Sequence, residues 1–292
     1  MSRVSPNFEM YLVNHLLSQE DMFRLGYPMR RKQCIYFSEL GLRCYTRFRK
    51  KNSCGRCGRV CSFKQQEACY YHCGKYQYFA DIGKRLYTCC NGRKNSPGCT
   101  FAVTHVPQCP KRFSHNGFTP TTTRARTPSV LGLDCEMVYT IAGLEVARVS
   151  LVDVYGNVRY NEFVLPEHRI IDYNSRFSGI TPSHMKRSLP FHVVQRQLLN
   201  IIHRDTILIG HALENDLSGL KLYHSYVIDT SQCFGHPRGR KSRYPLKFLV
   251  QSKLSRDIQT SDRGHDSIED AFVCIELMLD KFQREFGEPA LW

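Results

Sequence analysis

The segment VLGLDCEMVY, residues 130–139, is the feature that most constrains how this chain can fold. Its apolar residues predict a buried strand, yet it carries two carboxylates, Asp134 and Glu136. Residues i and i+2 of a strand point to the same face, so these carboxylates are neighbours. Like charges at that spacing repel each other and raise each other's pKa unless a cation lies between them. Because oxygen ligands suit Mg²⁺ or Mn²⁺, the segment predicts a divalent-metal site.

Two later segments offer further acidic ligands. In ILIGHALENDL, a short buried strand at 206–209 precedes a helix that begins near Leu213, which places Asp216 in its opening turns. In GHDSIEDAFVCIELMLDKF, apolar residues recur at helical spacing, with Asp270 in the first turn and His265 just before it. Taken alone, Asp270 could be a helix-capping acid and Asp216 a solvated one.

Between these segments the sequence predicts a mixed sheet. Residues 147–154 and 158–165 are rich in β-branched and apolar side chains and flank the turn Tyr155-Gly156-Asn157. Three consecutive strands would therefore follow one another from residue 130 onward.

Charge and cysteine content divide the chain in two. Residues 1–128 hold 22 Lys and Arg against 6 Asp and Glu, a net charge of +16, whereas the rest of the chain has a net charge of −1. Eleven of the 14 cysteines also lie in that first part. We predict a basic Cys/His-rich region at 1–106 with its core at about 52–106, a Pro/Thr-rich linker at 107–129 and a second domain at 130–292.

The basic region has the ligand spacing of zinc sites. Cysteines and histidines lie two or three residues apart, so a short turn can direct both side chains at one ion. Eight candidates suffice for two Zn²⁺ ions; they are Cys54, Cys57, Cys69, His72, Cys89, Cys90, Cys99 and His105. The alternative is a disulfide framework, which suits secreted chains. Cys61, Cys73 and Cys109 are surplus.

The same region interleaves cations with aromatic residues. Cations that neutralise phosphates and rings that stack on bases are typical of single-stranded nucleic-acid surfaces. The alternative is that the rings form the core of a small domain and the cations only solvate it. The cations are Lys75, Lys84, Arg85, Arg93 and Lys94.

Two resemblances extend these predictions. The order of an apolar strand ending in DxE, a GHxxxxxD and a terminal HxxxxD resembles the DEDDh 3′–5′ exonuclease superfamily. LDCEMVYT, LEVARVSLVD, DYNSRFSGIT, ILIGHALENDL, VIDTS and GHDSIEDA resemble its RNA exonuclease Rex/GOR branch of animal type. The pattern CxxH, CC, GC and H resembles the CHORD zinc fold, which implies that the eight ligands hold two zinc ions in interleaved fashion.

The first resemblance implies an α/β, ribonuclease H-like fold with a mixed five-stranded sheet flanked by helices. It also implies a two-metal mechanism, in which four acids hold two Mg²⁺ or Mn²⁺ ions and His265 takes the proton of the attacking water. These acids are Asp134, Glu136, Asp216 and Asp270. The implied groove for the terminal nucleotides is lined by Met137, Val138, Tyr139, Asn174, Arg176, Phe177, Ser178, Gly179 and His211.

We therefore expect a 3′–5′ exoribonuclease that hydrolyses single-stranded RNA ends to nucleoside 5′-monophosphates. The alternatives are a single-stranded DNA exonuclease and a non-catalytic, zinc-dependent RNA- or protein-binding scaffold. The first residues lack the apolar centre of a signal peptide, and no run of 18 apolar residues exists, so we expect an intracellular protein without membrane contact. The basic clusters at 30–32 and 47–51 favour the nucleus over the cytoplasm.

Overall fold

A mixed sheet forms the centre of the computed structural model, which describes residues 4–31, 34–36, 53–61, 67–107, 117–124, 129–237, 242–260 and 264–291. Its main strands are β8 (Val130–Thr140), β9 (Gly143–Asp153), β10 (Val158–Leu165), β13 (Ile207–Gly210) and β15 (Val227–Asp229). They lie in the order β10-β9-β8-β13-β15. The first three are antiparallel, and β13 and β15 run parallel to β8.

Two short strands enlarge this sheet beyond the five that we expected. β11 (Ile170–Asp172) pairs with the end of β8, and β12 (Leu189–Pro190) pairs with the end of β10. Both form where a main strand extends past its neighbour and leaves backbone groups to be paired. The α/β fold class with a mixed sheet is confirmed.

Helices cover both faces of the sheet. They are α1 (Pro6–Asn14), α2 (Gln19–Leu25), α3 (Ser175–Ser178), α4 (Pro182–Met185), α5 (Phe191–Leu199), α6 (Glu214–Gly219), α7 (Thr230–Cys233), α8 (Leu246–Leu254) and α9 (Ser267–Phe286). One core joins α1, α8 and α9 to the sheet, and a second joins α2, α5 and α6 to the opposite face. Along the described residues no helix has both the length and the apolar content needed to cross a bilayer.

The first two helices pack against the sheet domain, not against the zinc region. Ser5 caps α1 by accepting a hydrogen bond from Phe8 N, and the Phe8 and Phe282 rings contact edge to face with centroids 5.2 Å apart. Val4 pairs with Leu291, and Ser5 N donates to Ala290 O at 3.0 Å. The division of the chain at residues 106 and 129 stays a prediction, but α1 and α2 belong to the cores beside the sheet.

The Cys/His-rich region is built from short strands. β3 (Cys69–Tyr71) pairs with β6 (Thr100–Ala102), and β4 (Tyr76–Phe79) pairs with β5 (Lys84–Tyr87), both antiparallel. We call residues 53–61 and 67–107 the Cys/His module. The further strands, outside this module, are β1 (Met29–Arg31), β2 (Cys34–Tyr36), β7 (Thr119–Pro120) and β14 (Leu222–Tyr223).

Two features named in the sequence lie outside the described residues: Cys109 and the basic cluster at 47–51. The nuclear location stays a prediction.

Candidate active site

Four carboxylates from three elements converge at one end of the sheet. β8 supplies Asp134 and Glu136, α6 supplies Asp216, and the first turn of α9 supplies Asp270. Ligand atoms of Glu136, His265 and Asp270 lie within 4.8 Å of one another. The structure therefore brings together acids that are separated by up to 136 positions in the sequence.

The pKa values of all four acids are raised. Burial is the main cause in each case. The pKa of Glu136 is about 8, that of Asp216 about 7 and that of Asp270 about 6. The pKa of Asp134 lies well above its usual value, because burial adds to the charges of Asp216, Asp270 and Glu136. Such a cluster is costly when ionised unless a cation neutralises it.

The donor set fits divalent metal ions. Asp270 Oδ1 is buried and has no hydrogen-bond partner among the described residues, although buried polar atoms are normally paired. Its other oxygen, Oδ2, accepts a hydrogen bond from Gln259 Nε2 at 2.8 Å, which fixes the carboxylate and leaves Oδ1 for a ligand. Carboxylate oxygens are the ligands that Mg²⁺ and Mn²⁺ prefer.

His265 lies at the rim of this cluster. Its Nδ1 is 3.8 Å from Asp270 Oδ2, and its side chain is 33% exposed, so solvent reaches the imidazole. Burial, with a smaller contribution from the charge of Lys247, lowers the pKa of His265. The ring is therefore held towards its neutral form, which can accept a proton.

A tight backbone contact places His265. His265 N donates to Phe177 O at 2.7 Å, and the two rings meet edge to face with centroids 6.2 Å apart. The preceding Gly264 has φ +99°, and a Cβ there would lie 2.2 Å from Gly179 N. Because only glycine permits this approach, the loop before α9 is fixed against residues 174–179.

The predicted groove residues divide into exposed and buried ones. Arg176 and Phe177 are exposed, and the Arg176 guanidinium lies 5.8 Å from the Phe177 ring centroid. Asn174 has φ 53° and Gly179 φ 65°, so they bound the single turn α3. Both are partly buried.

Val138 and Ser178 correct part of that prediction. The Val138 side chain is fully buried with Ala147 and Ile180, because its position in β8 points it into a core. Ser178 is 2% exposed, and its hydroxyl donates to Tyr173 O at 2.8 Å. These two side chains pack inside the protein, so we do not expect them to contact a substrate.

The other predicted contacts are half-buried. Met137 packs against the core beside α6, and Tyr139 lies against the Cys/His module. His211 Nδ1 is hydrogen bonded to Thr230 Oγ1 at 2.9 Å, and burial lowers the pKa of this histidine.

The eight predicted zinc ligands form two clusters. One contains Cys54, Cys57, Cys69 and His105, and the other contains His72, Cys89, Cys90 and Cys99. Cys57 Sγ to His105 Nδ1 is 3.4 Å, Cys54 Sγ to Cys69 Sγ is 3.8 Å and Cys90 Sγ to His72 Nδ1 is 3.4 Å. Ligands around a tetrahedral zinc ion lie about 3.5–3.8 Å apart, so both clusters have suitable spacing.

The two ligand sets are nested along the chain and do not alternate, unlike the interleaved order that we expected. All four residues of the second set lie between Cys69 and His105 of the first. This order arises because β3 and β6, which pair with each other, enclose the β4–β5 hairpin. The eleven cysteines whose side chains the structure describes are free, including the surplus Cys61 and Cys73.

Comparison with known proteins identifies the family. The exonuclease (RNase_T) family model matches residues 131–278, which contain all four acids and His265. This chain belongs to the exonuclease family.

The relatives of this exonuclease support the predicted Rex/GOR branch of the DEDDh superfamily. Over 94% of its length the chain is 38% identical to the putative exonuclease GOR of Homo sapiens and 36% identical to the human RNA exonuclease 1 homolog. It covers 42% and 24% of those proteins, respectively. It is also 36% identical to RNA exonuclease 3 of Schizosaccharomyces pombe, over 78% of this chain and 43% of that protein. The chain thus spans less than half the length of these relatives.

Among solved structures, the exonuclease is similar to the Neurospora crassa Pan2 catalytic unit, which comprises a protease and a nuclease domain. The two are 20% identical with a TM-score of 0.49, over 75% of this chain and 44% of that chain.

Sequence reasoning missed an arginine that joins the Cys/His module to the exonuclease domain. Arg56 Nη1 lies 2.7 Å from Asp172 Oδ2, and its guanidinium is 5.3 Å from the Tyr71 ring centroid and 5.0 Å from that of Tyr139. Asp172 Oδ1 also accepts a hydrogen bond from Asn174 N at 2.7 Å. The position of Arg56 between two predicted zinc ligands, Cys54 and Cys57, did not indicate this role, since a cation there is usually solvated. We call Arg56, Asp172 and the two tyrosine rings the arginine clamp.

Proposed function

We propose that this exonuclease hydrolyses single-stranded RNA from the 3′ end and releases nucleoside 5′-monophosphates. The convergence of four buried or partly buried carboxylates with a partly exposed histidine carries this proposal. A bound cation would offset the repulsion and the burial cost of so many acids placed together. The names of the relatives, which include RNA exonucleases, support RNA as the substrate.

In this proposal Asp134, Glu136, Asp216 and Asp270 hold two Mg²⁺ or Mn²⁺ ions. When bound, these ions neutralise the carboxylates and stabilise the negative charge that develops on the reacting phosphate. Gln259 fixes the orientation of Asp270. Arg148, which pairs opposite Glu136 across β8 and β9, lowers the cost of ionising that acid.

His265 acts as the general base. Its neutral imidazole accepts a proton from the attacking water, and its exposed edge then returns that proton to solvent. The backbone hydrogen bond to Phe177 keeps the ring next to the groove wall, so the base and the bound strand are positioned by the same loop. Arg176, exposed on that loop, is placed to contact a phosphate of the strand.

The Cys/His module, in the same proposal, holds two structural Zn²⁺ ions. Each cluster offers four ligands and no further open position is required, as is typical of structural sites. Metal analysis of the purified chain should find about two zinc ions per molecule. Finding no zinc, with the cysteines oxidised to disulfides, would restore the disulfide alternative.

The activity test compares matched strands. The 292-residue chain with Mg²⁺ is given 5′-labelled RNA and DNA of the same sequence, and the products are resolved as ladders. We expect RNA to shorten stepwise from its 3′ end, Asp134→Asn to be inactive, and Glu276→Gln to behave as wild type. Glu276 is a suitable control because it lies on α9 and, among the described residues, its one ion pair is with the exposed Arg256, at 2.6 Å.

Two results contradict the proposal. If DNA is shortened faster than RNA, the substrate assignment is wrong. If wild type and Asp134→Asn leave both strands intact, the enzyme is inactive and the scaffold alternative holds.

A further inference from the structure

A cationic cavity lies on the Cys/His module, outside the carboxylate site. Its volume is about 690 Å³, within the range of about 300–1,000 Å³ that is usual for ligand sites. It is formed by the β4–β5 hairpin and the loop that follows Gly92. The lining residues are Tyr76, Lys84, Arg85, Leu86, Arg93, Lys94, Asn95 and Ser96.

The four cations of this cavity are not neutralised. All four are exposed, and none forms an ion pair with a residue that the structure describes. Residues 67–107 hold five Lys and Arg but only two acids, Glu67 and Asp81. Four cations that converge on one concave surface without an internal partner are suited to an anionic ligand.

The floor of the cavity is partly aromatic. The Tyr76 ring packs on Tyr87 with centroids 5.0 Å apart, and Tyr87 stacks on the imidazole of His72 at 3.7 Å. His72 belongs to the second Cys/His cluster. The ring of Tyr76 is thus supported by a metal-binding cluster, and it can offer a flat face to a base.

A short chain of contacts connects this cavity to the exonuclease groove. Ser96, which lines the cavity, accepts a hydrogen bond at its carbonyl oxygen from His72 Nε2 at 3.1 Å. Cys73 follows His72 in the sequence, and its Sγ lies 3.5 Å from Arg176 Nη1. Arg176 belongs to the loop that holds Phe177 against His265. Cavity and groove therefore lie on neighbouring parts of one surface.

We propose that this cavity binds backbone phosphates of the RNA strand whose 3′ end lies in the carboxylate site. This inference rests on the proposed function for the identity of the strand. Lys84, Arg85 and Lys94 contact the phosphates, and Tyr76 stacks on a base. The module then acts as a second contact point, so affinity depends on strand length.

The test measures RNA binding without turnover. Full-length Asp134→Asn protein is titrated with a fluorescent trinucleotide and a 20-nucleotide RNA at several salt concentrations, and the triple variant Lys84→Ala, Arg85→Ala, Lys94→Ala is compared on the same background. Each cation that contacts a single strand contributes about 0.7 to the slope of log affinity against log salt concentration. We expect the slope for the 20-mer to fall by about 2, and the gain in affinity from trinucleotide to 20-mer to be lost.

The control is Arg59→Ala, an exposed cation of the same module that does not line the cavity. It should leave the slope unchanged, and equal zinc content in all proteins shows that the module remains folded. An unchanged slope in the triple variant, or an equal loss for trinucleotide and 20-mer, overturns the proposed site. A loss that occurs with a DNA 20-mer but not with RNA overturns the assignment to RNA. Because binding is measured without turnover, these results are independent of whether the wild type is active.

Discussion

At the scale of single residues, a missing side chain sets the distance between α9 and β8. A Cβ added at Gly132 would lie 2.4 Å from Ala271 O and 3.0 Å from Ala271 C. Ala271 follows Asp270, so this close approach also fixes the acid that α9 contributes. The glycine of VLGLDCEMVY thus helps to position the acid that α9 contributes.

We predict that Gly132→Ala lowers both stability and activity. The methyl group forces α9 away from the sheet, and overpacking of this kind costs about 1–3 kcal/mol of unfolding free energy. A displaced Asp270 should also reduce kcat at least about 10-fold, since errors of about 1 Å in a catalytic group can cost far more. Urea denaturation and single-turnover kinetics, at a temperature where the variant is folded, measure the two effects.

Gly235→Ala serves as the matched control, because a methyl group there meets no atom within 4 Å. This variant should have nearly the same free energy of unfolding and the same kcat as the wild type. Normal activity in a folded Gly132→Ala protein would show that the site tolerates a shift of α9.

The five residues of the carboxylate site could be predicted from the sequence because each stands at a marked position. Asp134 and Glu136 interrupt an apolar strand, Asp216 and Asp270 lie in the first turns of helices, and His265 stands just before the second of these helices. Gln259 and Arg148 could not be predicted. Gln259 itself has φ 54°, and this loop conformation brings its side chain to Asp270. Arg148 comes opposite Glu136 only through the register of β8 and β9.

At the scale of elements, the arginine clamp joins the first Cys/His cluster to β8 and β11. Arg56 and Asp172 have side-chain exposures of 8% and 18%, so their ion pair is largely removed from water. Asp172 in turn accepts the hydrogen bond that starts the turn at Asn174. Folding of the Cys/His module is thereby linked to the loop that holds Phe177 and His265.

We predict that Arg56→Ala destabilises this junction. Removing the cation leaves Asp172 partly buried without its ion-pair partner, at a cost of about 2 kcal/mol. Amide hydrogen exchange over residues 172–179 should accelerate, while exchange in β9 stays unchanged. Arg59→Ala is the control, since Arg59 is exposed in the same loop. Unaltered exchange over residues 172–179 in Arg56→Ala would show that the clamp does not hold the groove loop.

The main helices and strands could be predicted where the regular spacing of apolar residues continued long enough to be recognised. The strand at 158–165 was predicted with its observed bounds, and the helix that carries Asp270 begins next to its Asp266 cap. β11 and β12 were missed because strands of two or three residues have no recognisable period, and only pairing with a neighbour stabilises them. For the same reason the docking of α1 onto α9 could not be predicted, since it depends on contacts across the whole chain.

At the scale of the whole molecule, one buried histidine makes stability depend on pH. His224 is 1% exposed and lies between Thr121 and Thr206, with its Nδ1 2.8 Å from Thr121 Oγ1 and its Nε2 2.7 Å from Thr206 O. Burial lowers the pKa of His224 from 6.5 to about 4. Between these two pH values the unfolded chain binds a proton that the folded chain does not, so stability falls as the pH decreases from 6.5 to 4.

We predict that His224→Gln removes this part of the pH dependence. A shift of about 2.5 pKa units corresponds to about 3 kcal/mol. The wild type should therefore lose about 3 kcal/mol more than the variant between pH 7 and pH 4. Urea denaturation of both proteins across this range gives the difference in their free energies of unfolding. The contribution of the carboxylate cluster is the same in both proteins and cancels in this difference. If the free energies of unfolding of wild type and variant differed by the same amount at every pH, the prediction would be wrong.

The pairing of Val4 with Leu291 brings the two ends of the described chain side by side. Ends that meet in this way permit circular permutation, and they permit insertion of the whole unit into a surface loop of another protein. Such an insertion needs only two short connections at one point and leaves the strand order of the sheet intact. Insertion of the described residues at one loop would therefore carry the Cys/His module and the carboxylate site together.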